Sequence, residues 1–405
     1  MNYILSAGIL WACRSQKNTL RRVVFGISLL ANLILLGYFK YLDLFISTWN
    51  LLTHSQTPIM QLVLPLGISF FTITQVLYLL DCYEGITKDH DFLDYALFVS
   101  FFPHLLCGPI LFHRQMMSQF KKESLRRVQW ENFASGITLF IIGLAKKILI
   151  ADCFSSFANE HFYAPAPYNF YVSWLAMAAY AVQLYFDFSG YSDMAVGIAR
   201  MMNIKIPINF NSPLRASTLT DFWQRWHISL TQAITACVYI PLVNVLPRRF
   251  ASVAVASFLT FFIVGIWHGA GWTFVIFALL HAAGITVNQA WRYYALPMPH
   301  WLSKVILFSF LIPTLVIIRA HDMPTAISLL SGMIGQHGFS TQGIMPKGDL
   351  LLLAGALIAM LFAPNSNEIA KKLKPTWHWF IALVVLFCLT LVYFGRASDF
   401  LYFQF

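Results

Sequence analysis

Long apolar windows, rather than short alternating ones, set the pattern of this sequence. Stretches close to the roughly 20 apolar residues of a spanning helix run over 23–42, 59–81, 133–151, 170–187, 250–267, 271–290, 303–319, 349–363 and 379–395. Residues 1–13 are apolar but too short for an ordinary span, and 92–112 is interrupted by Pro103, Gly108 and Pro109. Shorter helical stretches are predicted over 190–202 and 217–240. The pattern predicts an all-α polytopic membrane protein with about 10–12 membrane segments. They form one domain over 1–405, with no internal repeat and no low-complexity linker.

Composition narrows the class. Of the 405 residues, 58% are hydrophobic and 11% charged, whereas soluble domains carry about 25% charge. Mean hydropathy is +0.65, and 37 Phe, 17 Tyr and 12 Trp exceed what a water-soluble core needs. These figures exclude a soluble enzyme, a disordered scaffold and a nucleic-acid binder, in spite of a formal net charge of +10. The cysteines (Cys13, Cys82, Cys107, Cys153, Cys237 and Cys388) show neither CxxC pairing nor His spacing suited to zinc. They read as buried small apolar residues, and neither a metal site nor a bound cofactor is expected. No cleavable signal peptide stands out, because the first 13 residues lack a basic segment and a small-residue cleavage site.

Placement of the charge orients the chain. Arg14, Lys17, Arg21 and Arg22 precede the first strong span; Arg114, Lys121, Lys122, Arg126 and Arg127 precede 133–151; Lys371, Lys372 and Lys374 precede the last. Loops 43–58 and 152–169 carry no Lys or Arg. The positive-inside rule puts the basic loops in the cytoplasm. The 59–81 span then ends on the side where 114–127 begins, so 92–112 cannot cross once. It must be re-entrant or lie flat, and broken backbone at membrane depth implies a protein-lined or water-filled cavity beside it.

Candidate chemistry concentrates in 185–230, which packs Asp187, Asp193, Asn209, Asn211, Arg215, Asp221, Arg225 and His227 among aromatics. If 217–230 is helical, Trp223 and His227 share a face, as do Asp221 and Arg225. Ionisable residues inside a membrane face a cavity or a partner; the alternative is a surface-lying helix with its charges at headgroup level. A second stretch surrounds His268 with Gly265, Gly269, Gly271, Trp267 and Trp272. Its imidazole is suited to proton transfer near neutral pH, or else it sits in a helix–helix turn bonded to a carbonyl. His281 reads as an interhelical histidine. His104 and His113 read as structural, with cavity lining as the alternative. Lys146 and Lys147 are expected to snorkel, and the 400–405 run (FLYFQF) to form an aromatic belt.

Six ordered motifs carry a family resemblance: LPLGISFFT from Leu64, FFPHLLCGP from Phe101, YFDFSGYSD from Tyr185, NFNSP from Asn209, FWQRWHISL from Phe222 and GIWHGA from Gly265. On these motifs the chain resembles the membrane-bound O-acyltransferase superfamily, in its alginate and peptidoglycan O-acetyltransferase-like branch. The resemblance implies a ring of helices around a central funnel, with His268 as the catalytic residue and His227 as its companion. It implies acetyl-CoA as a cytoplasmic donor and an extracytoplasmic polysaccharide as acceptor, often through a periplasmic SGNH-hydrolase-like partner, in the bacterial inner membrane. On that reading Arg215 and Arg225 attract the donor phosphates, Trp223 or Trp226 packs on the pantetheine, and Asp187 lies in the binding region. His227 or Asn211 supplies donors to the oxyanion.

Three departures stand out. The run 233–241 (AITACVYIP) lacks the family's Arg-Asp pair, Gln224 replaces its second basic residue, and the N-terminus is shorter than in most members. Rival readings are a D-alanyl transferase of the same superfamily, a solute transporter, and a haem protein with His227 and His268 as axial ligands.

Overall fold

The structure is a computed structural model. It describes residues 1–401 apart from 88, 89, 164, 248, 373, 375, 397 and 399, and at 124, 126 and 396 it describes the backbone alone. Tyr402, Phe403, Gln404 and Phe405 of the C-terminal aromatic run, and the Arg126 side chain, lie outside the described residues. All named elements are helical, in keeping with a lipid environment in which each backbone polar group must be satisfied within its own segment. Among the described residues, five helices are long and apolar enough to cross a membrane: Asn18–Thr53, Ile228–Val245, Phe250–His268, Trp272–Tyr293 and His300–Arg319. Shorter apolar helices cover Ile68–Tyr83, Met323–Met333 and Trp377–Tyr393.

Each apolar window contains a helix, with three corrections. The 59–81 window is helical only from Ile68, where the helix Ile68–Tyr83 begins, because Pro65 withholds a backbone donor and Gly67 turns left-handed at φ 73°. A Cβ at Gly67 would stand 3.2 Å from the Leu106 carbonyl oxygen, so this turn needs glycine sterically as well. Residues 190–202 do not form a separate helix but continue Phe170–Met201 as one rod of 32 residues. The 217–240 stretch is broken at His227, whose φ of 47° and ψ of 52° are left-handed. Trp223 and His227 therefore do not share a helix face, although Arg225 Nε does meet Asp221 Oδ1 at 2.7 Å.

The long Phe170–Met201 helix packs against Trp130–Ala145 through two glycine pairs. A Cβ on Gly143 would fall 2.5 Å from the Gly190 carbonyl oxygen, and one on Gly136 would fall 2.6 Å from that of Gly197. Small residues at such crossings let two backbones touch where lipid offers no hydrophobic drive for association. The close approach brings the π turn Lys146–Ala151 alongside Asp187 and Asp193. Lys146 Nζ lies 2.6 Å from Asp193, and Lys147 Nζ lies 2.7 Å from both Asp187 and Asp152. The two lysines thus do not snorkel; carboxylates on the neighbouring helix and at the end of their own turn hold them inside.

Segment 92–112 runs as a helix over Phe92–Ser100, a 3-10 turn at Phe102–His104 and irregular backbone to Phe112 that is buried from Cys107 onward. Its two flanks meet: Lys121 pairs with Asp94 at 3.2 Å, and Arg114 with Asp81 at 3.3 Å. The segment returns to the end from which it started, as the charge pattern requires. Other basic segments gather at that end, with Arg21 stacked 4.9 Å from the Tyr83 ring and the Gln119 amide donating to the Lys205 carbonyl at 2.9 Å. The cysteines depart from expectation. Cys82 and Cys107 are buried, Cys13 and Cys237 partly exposed, and Cys153 and Cys388 exposed on helix faces.

Candidate active site

His227 owes its position to a short hairpin. Phe210 and Trp226 form an antiparallel bridge, with the Asn211 amide donating to the Arg225 carbonyl and the Ile228 amide to the Asn209 carbonyl, both at 3.0 Å. Asn209 is the tie. Its Oδ1 accepts from Ser229 Oγ at 2.6 Å, its Nδ2 donates to Ser192 Oγ at 3.1 Å, and Ser229 Oγ accepts from the Ile110 amide at 2.9 Å. One side chain thereby joins the long helix, the broken 92–112 segment and the histidine turn. A left-handed non-glycine residue costs about 1–2 kcal/mol, and such strain clusters where surrounding structure imposes a functional geometry. Asn209→Ala is expected to lower stability by about 1–3 kcal/mol through its orphaned buried partners. Thermal unfolding in detergent measures this, and an unchanged midpoint would show that the tie does not hold the turn.

His268 ends the Phe250–His268 helix. Two cavities meet at it. The first, of about 160 Å³, is apolar and bounded by Tyr180, Leu184, Trp223, Trp226, Phe274, Phe277 and Leu315. The second, of about 80 Å³, is lined by Lys40, Gly67, Ser69, Phe70, Cys107 and Trp267. Among the described residues His268 is the one that lines both. The second cavity sits at the Gly67 end of the Ile68–Tyr83 helix, away from the basic end, and Cys107 places the broken segment on its wall, as expected. The first reaches Trp223 and Trp226, at the close of the stretch 205–226, which begins at the basic end with Lys205 and includes the short helix Leu219–Trp223.

The structure brings the two histidines together although they lie 41 positions apart in sequence, with ring centroids 6.5 Å apart. His227 is fully buried against Phe188 (4.7 Å), Phe70 (6.2 Å) and Trp267 (6.3 Å) and lines neither cavity. Trp223 and Trp226 line the apolar cavity. The remaining expected residues stand elsewhere. Arg215 donates to the carbonyls of Phe362 (2.8 Å) and Ala363 (2.9 Å), closing the end of the Lys347–Phe362 helix. Arg225 pairs with Asp221, and Asn211 Oδ1 accepts from Asn365 Nδ2 at 3.2 Å. Asp187 is held by Lys147 and by the Leu401 amide at 2.9 Å. None of these four lines either cavity.

His281 is the satisfied interhelical histidine expected of it. Trp223 Nε1, which can only donate, reaches its Nδ1 at 3.3 Å, so Nε2 carries the proton toward Thr314 Oγ1 at 3.1 Å. His113 Nδ1 lies 3.2 Å from Thr87 Oγ1, and His104 stacks between Phe98 and Phe101; neither lines either of the two cavities at His268. Sequence reasoning missed Lys40 and Tyr41. Their one signal is a cation at the end of an apolar window, and a charge at membrane depth warrants a functional hypothesis.

Residues 24–318 match the model of the MBOAT, membrane-bound O-acyltransferase family. The chain is 38% identical over 411 aligned residues to the peptidoglycan O-acetyltransferase of Helicobacter pylori, covering 93% of this chain and 76% of that protein. It is 36% identical to the probable alginate O-acetylase AlgI of Pseudomonas aeruginosa, covering 76% of this chain and 59% of that protein. It is 31% identical to the teichoic acid D-alanyltransferase of Bacillus subtilis, covering 66% of this chain and 73% of that protein.

Proposed function

The chain belongs to the membrane-bound O-acyltransferase family, and from that premise we propose that it moves an acetyl group from cytoplasmic acetyl-CoA for O-acetylation of an extracytoplasmic polysaccharide. The observation that carries this reading is the position of His268 between an apolar cavity and a more polar one. An acyl thioester and its pantetheine arm suit the apolar side, against Trp223 and Trp226. Arg225, next to Trp226 in sequence, supplies positive charge for the donor phosphates only when its 2.7 Å pair with Asp221 opens. The hydroxyl acceptor enters from the side of Lys40, Ser69 and Cys107.

His268 takes the hydroxyl proton as the oxygen attacks the thioester carbonyl. The tetrahedral oxyanion collapses, the C–S bond breaks, and the departing thiolate recovers the proton from the imidazolium. Closeness of the two reactants supplies most of the advantage, and donors around the oxyanion add to it. His227, 6.5 Å from His268 between ring centroids, is better placed for that part than Asn211. The acetyl group then passes to the glycan through a periplasmic SGNH-hydrolase-like partner, and the protein resides in the bacterial inner membrane. The relatives named for O-acetyl transfer share more identity with this chain than the D-alanyl relative does, which favours acetyl as the cargo.

The test is release of CoA from acetyl-CoA by protein in nanodiscs, with and without the partner, in wild type and His268→Ala. Release that depends on His268 supports the reading. No release by folded wild type with the partner present overturns it, and consumption of a D-alanyl thioester instead would reassign the cargo.

A further inference from the structure

We propose that Lys40 is a positioning residue for the transfer, fixing His268 at the junction of the two cavities by capping the helix that carries it. The inference rests on the acyl-transfer reading above and adds a residue to it. The last carbonyls of any helix lack intrahelical donors. At the end of Phe250–His268 these carbonyls are met from the first long helix: Tyr41 OH donates to Ile266 O at 2.8 Å, and Lys40 Nζ donates to Trp267 O at 2.6 Å and His268 O at 3.3 Å. The remaining N–H of Lys40 goes to Ser69 Oγ at 3.2 Å. All three donors of the ammonium are committed, which fixes its orientation.

Two further features bear on this lysine. Like Lys146 and Lys147 it stands in a π turn, Gly37–Tyr41, a distortion found disproportionately at functional sites, but here the two residues that close the turn both reach the same helix end. Among the described residues no carboxylate pairs with Lys40, whereas Lys146 and Lys147 each have one or more. Its charge meets the negative end of the helix dipole and the face of the Trp267 ring at 5.9 Å, and it lines the second cavity beside Trp267 and His268. The last turn of the helix sets where the imidazole stands, and a displacement of about 1 Å in a reacting group costs on the order of 100-fold in rate.

The experiment compares wild type, Tyr41→Phe, Lys40→Arg and Lys40→Met in nanodiscs. It reads kcat, donor KM and the stoichiometry with which a non-hydrolysable acetyl-CoA analogue binds. Stoichiometry separates slow turnover from a smaller folded fraction. The expected result is a kcat lowered about 10- to 100-fold in Lys40→Met, less in Lys40→Arg and least in Tyr41→Phe, with KM within twofold and full stoichiometry. Should Lys40→Met not fold, Lys40→Arg and Tyr41→Phe decide. The folded variants keeping kcat within twofold of wild type overturns the proposal, as does a kcat loss that only follows lost stoichiometry or a rising KM. A wild type that releases no CoA overturns the transfer reading itself, before any variant is compared.

Discussion

Replacing His268 with alanine is expected to lower kcat for acetyl transfer by about 10²- to 10⁴-fold, the usual contribution of a general base. Donor KM should change little, since the proposed binding of the thioester arm uses the aromatic wall at Trp223 and Trp226, which line the apolar cavity, and not the imidazole. Folding should survive as well. His268 touches two cavities, so its truncation enlarges existing space more than it opens a new void in packed core. His227→Ala makes the contrasting case. That ring is fully buried against Phe188, Phe70 and Trp267, so removing it deletes packing and costs stability along with rate. Measuring kcat and the thermal midpoint for both variants separates the roles. A His268→Ala protein that turns over at the wild-type rate would remove the base from the mechanism, whatever its stability.

What the sequence made legible, and what it hid, follows from the range of the interactions concerned. Helix positions came from local apolarity, and the return of 92–112 came from counting charges, because the pairs Lys121–Asp94 and Arg114–Asp81 join its flanks. The two histidines were found through their motifs, and the structure brings them together. The helix assumed through His227 was wrong because apolarity does not report φ. The break falls where Asn209 reaches across to Ser229 and Ser192, contacts that lie far off in sequence. Lys146 and Lys147 were misread for the same reason. Three of the four residues concerned in their pairing with the long helix, Lys146, Lys147 and Asp193, carry no mark in their own neighbourhoods of who their partner is, and the fourth, Asp187, was seen only as a binding-region acid. Lys40 meets carbonyls more than 220 positions away, and main-chain acceptors leave no trace in a residue pattern.

The second large effect is expected at Lys147. Lys147→Met should destabilise the protein by about 3–5 kcal/mol, the cost of breaking a buried ion pair by removing one partner. Its ammonium stands 2.7 Å from both Asp152 and Asp187, whose side chains are 2% and 1% exposed. The same carboxylates hold the C-terminal segment: Asp152 Oδ1 accepts from Ser398 Oγ at 2.6 Å, and Asp187 Oδ2 from the Leu401 amide at 2.9 Å. Without the cation, two carboxylates remain in a medium of low dielectric, and the segment they bind should loosen with them. Lys147→Met is therefore expected to lower the thermal midpoint in detergent and to speed carboxypeptidase trimming of the C-terminus. Adding Asp187→Asn should recover part of the loss, since the surviving charge is then reduced; residues in one network do not behave additively. Asp187→Asn alone should cost less than Lys147→Met, because Lys147 keeps Asp152. A Lys147→Met protein as stable and as slowly trimmed as wild type would mean that the ammonium reaches water after all, and that the carboxylates around it are hydrated rather than enclosed.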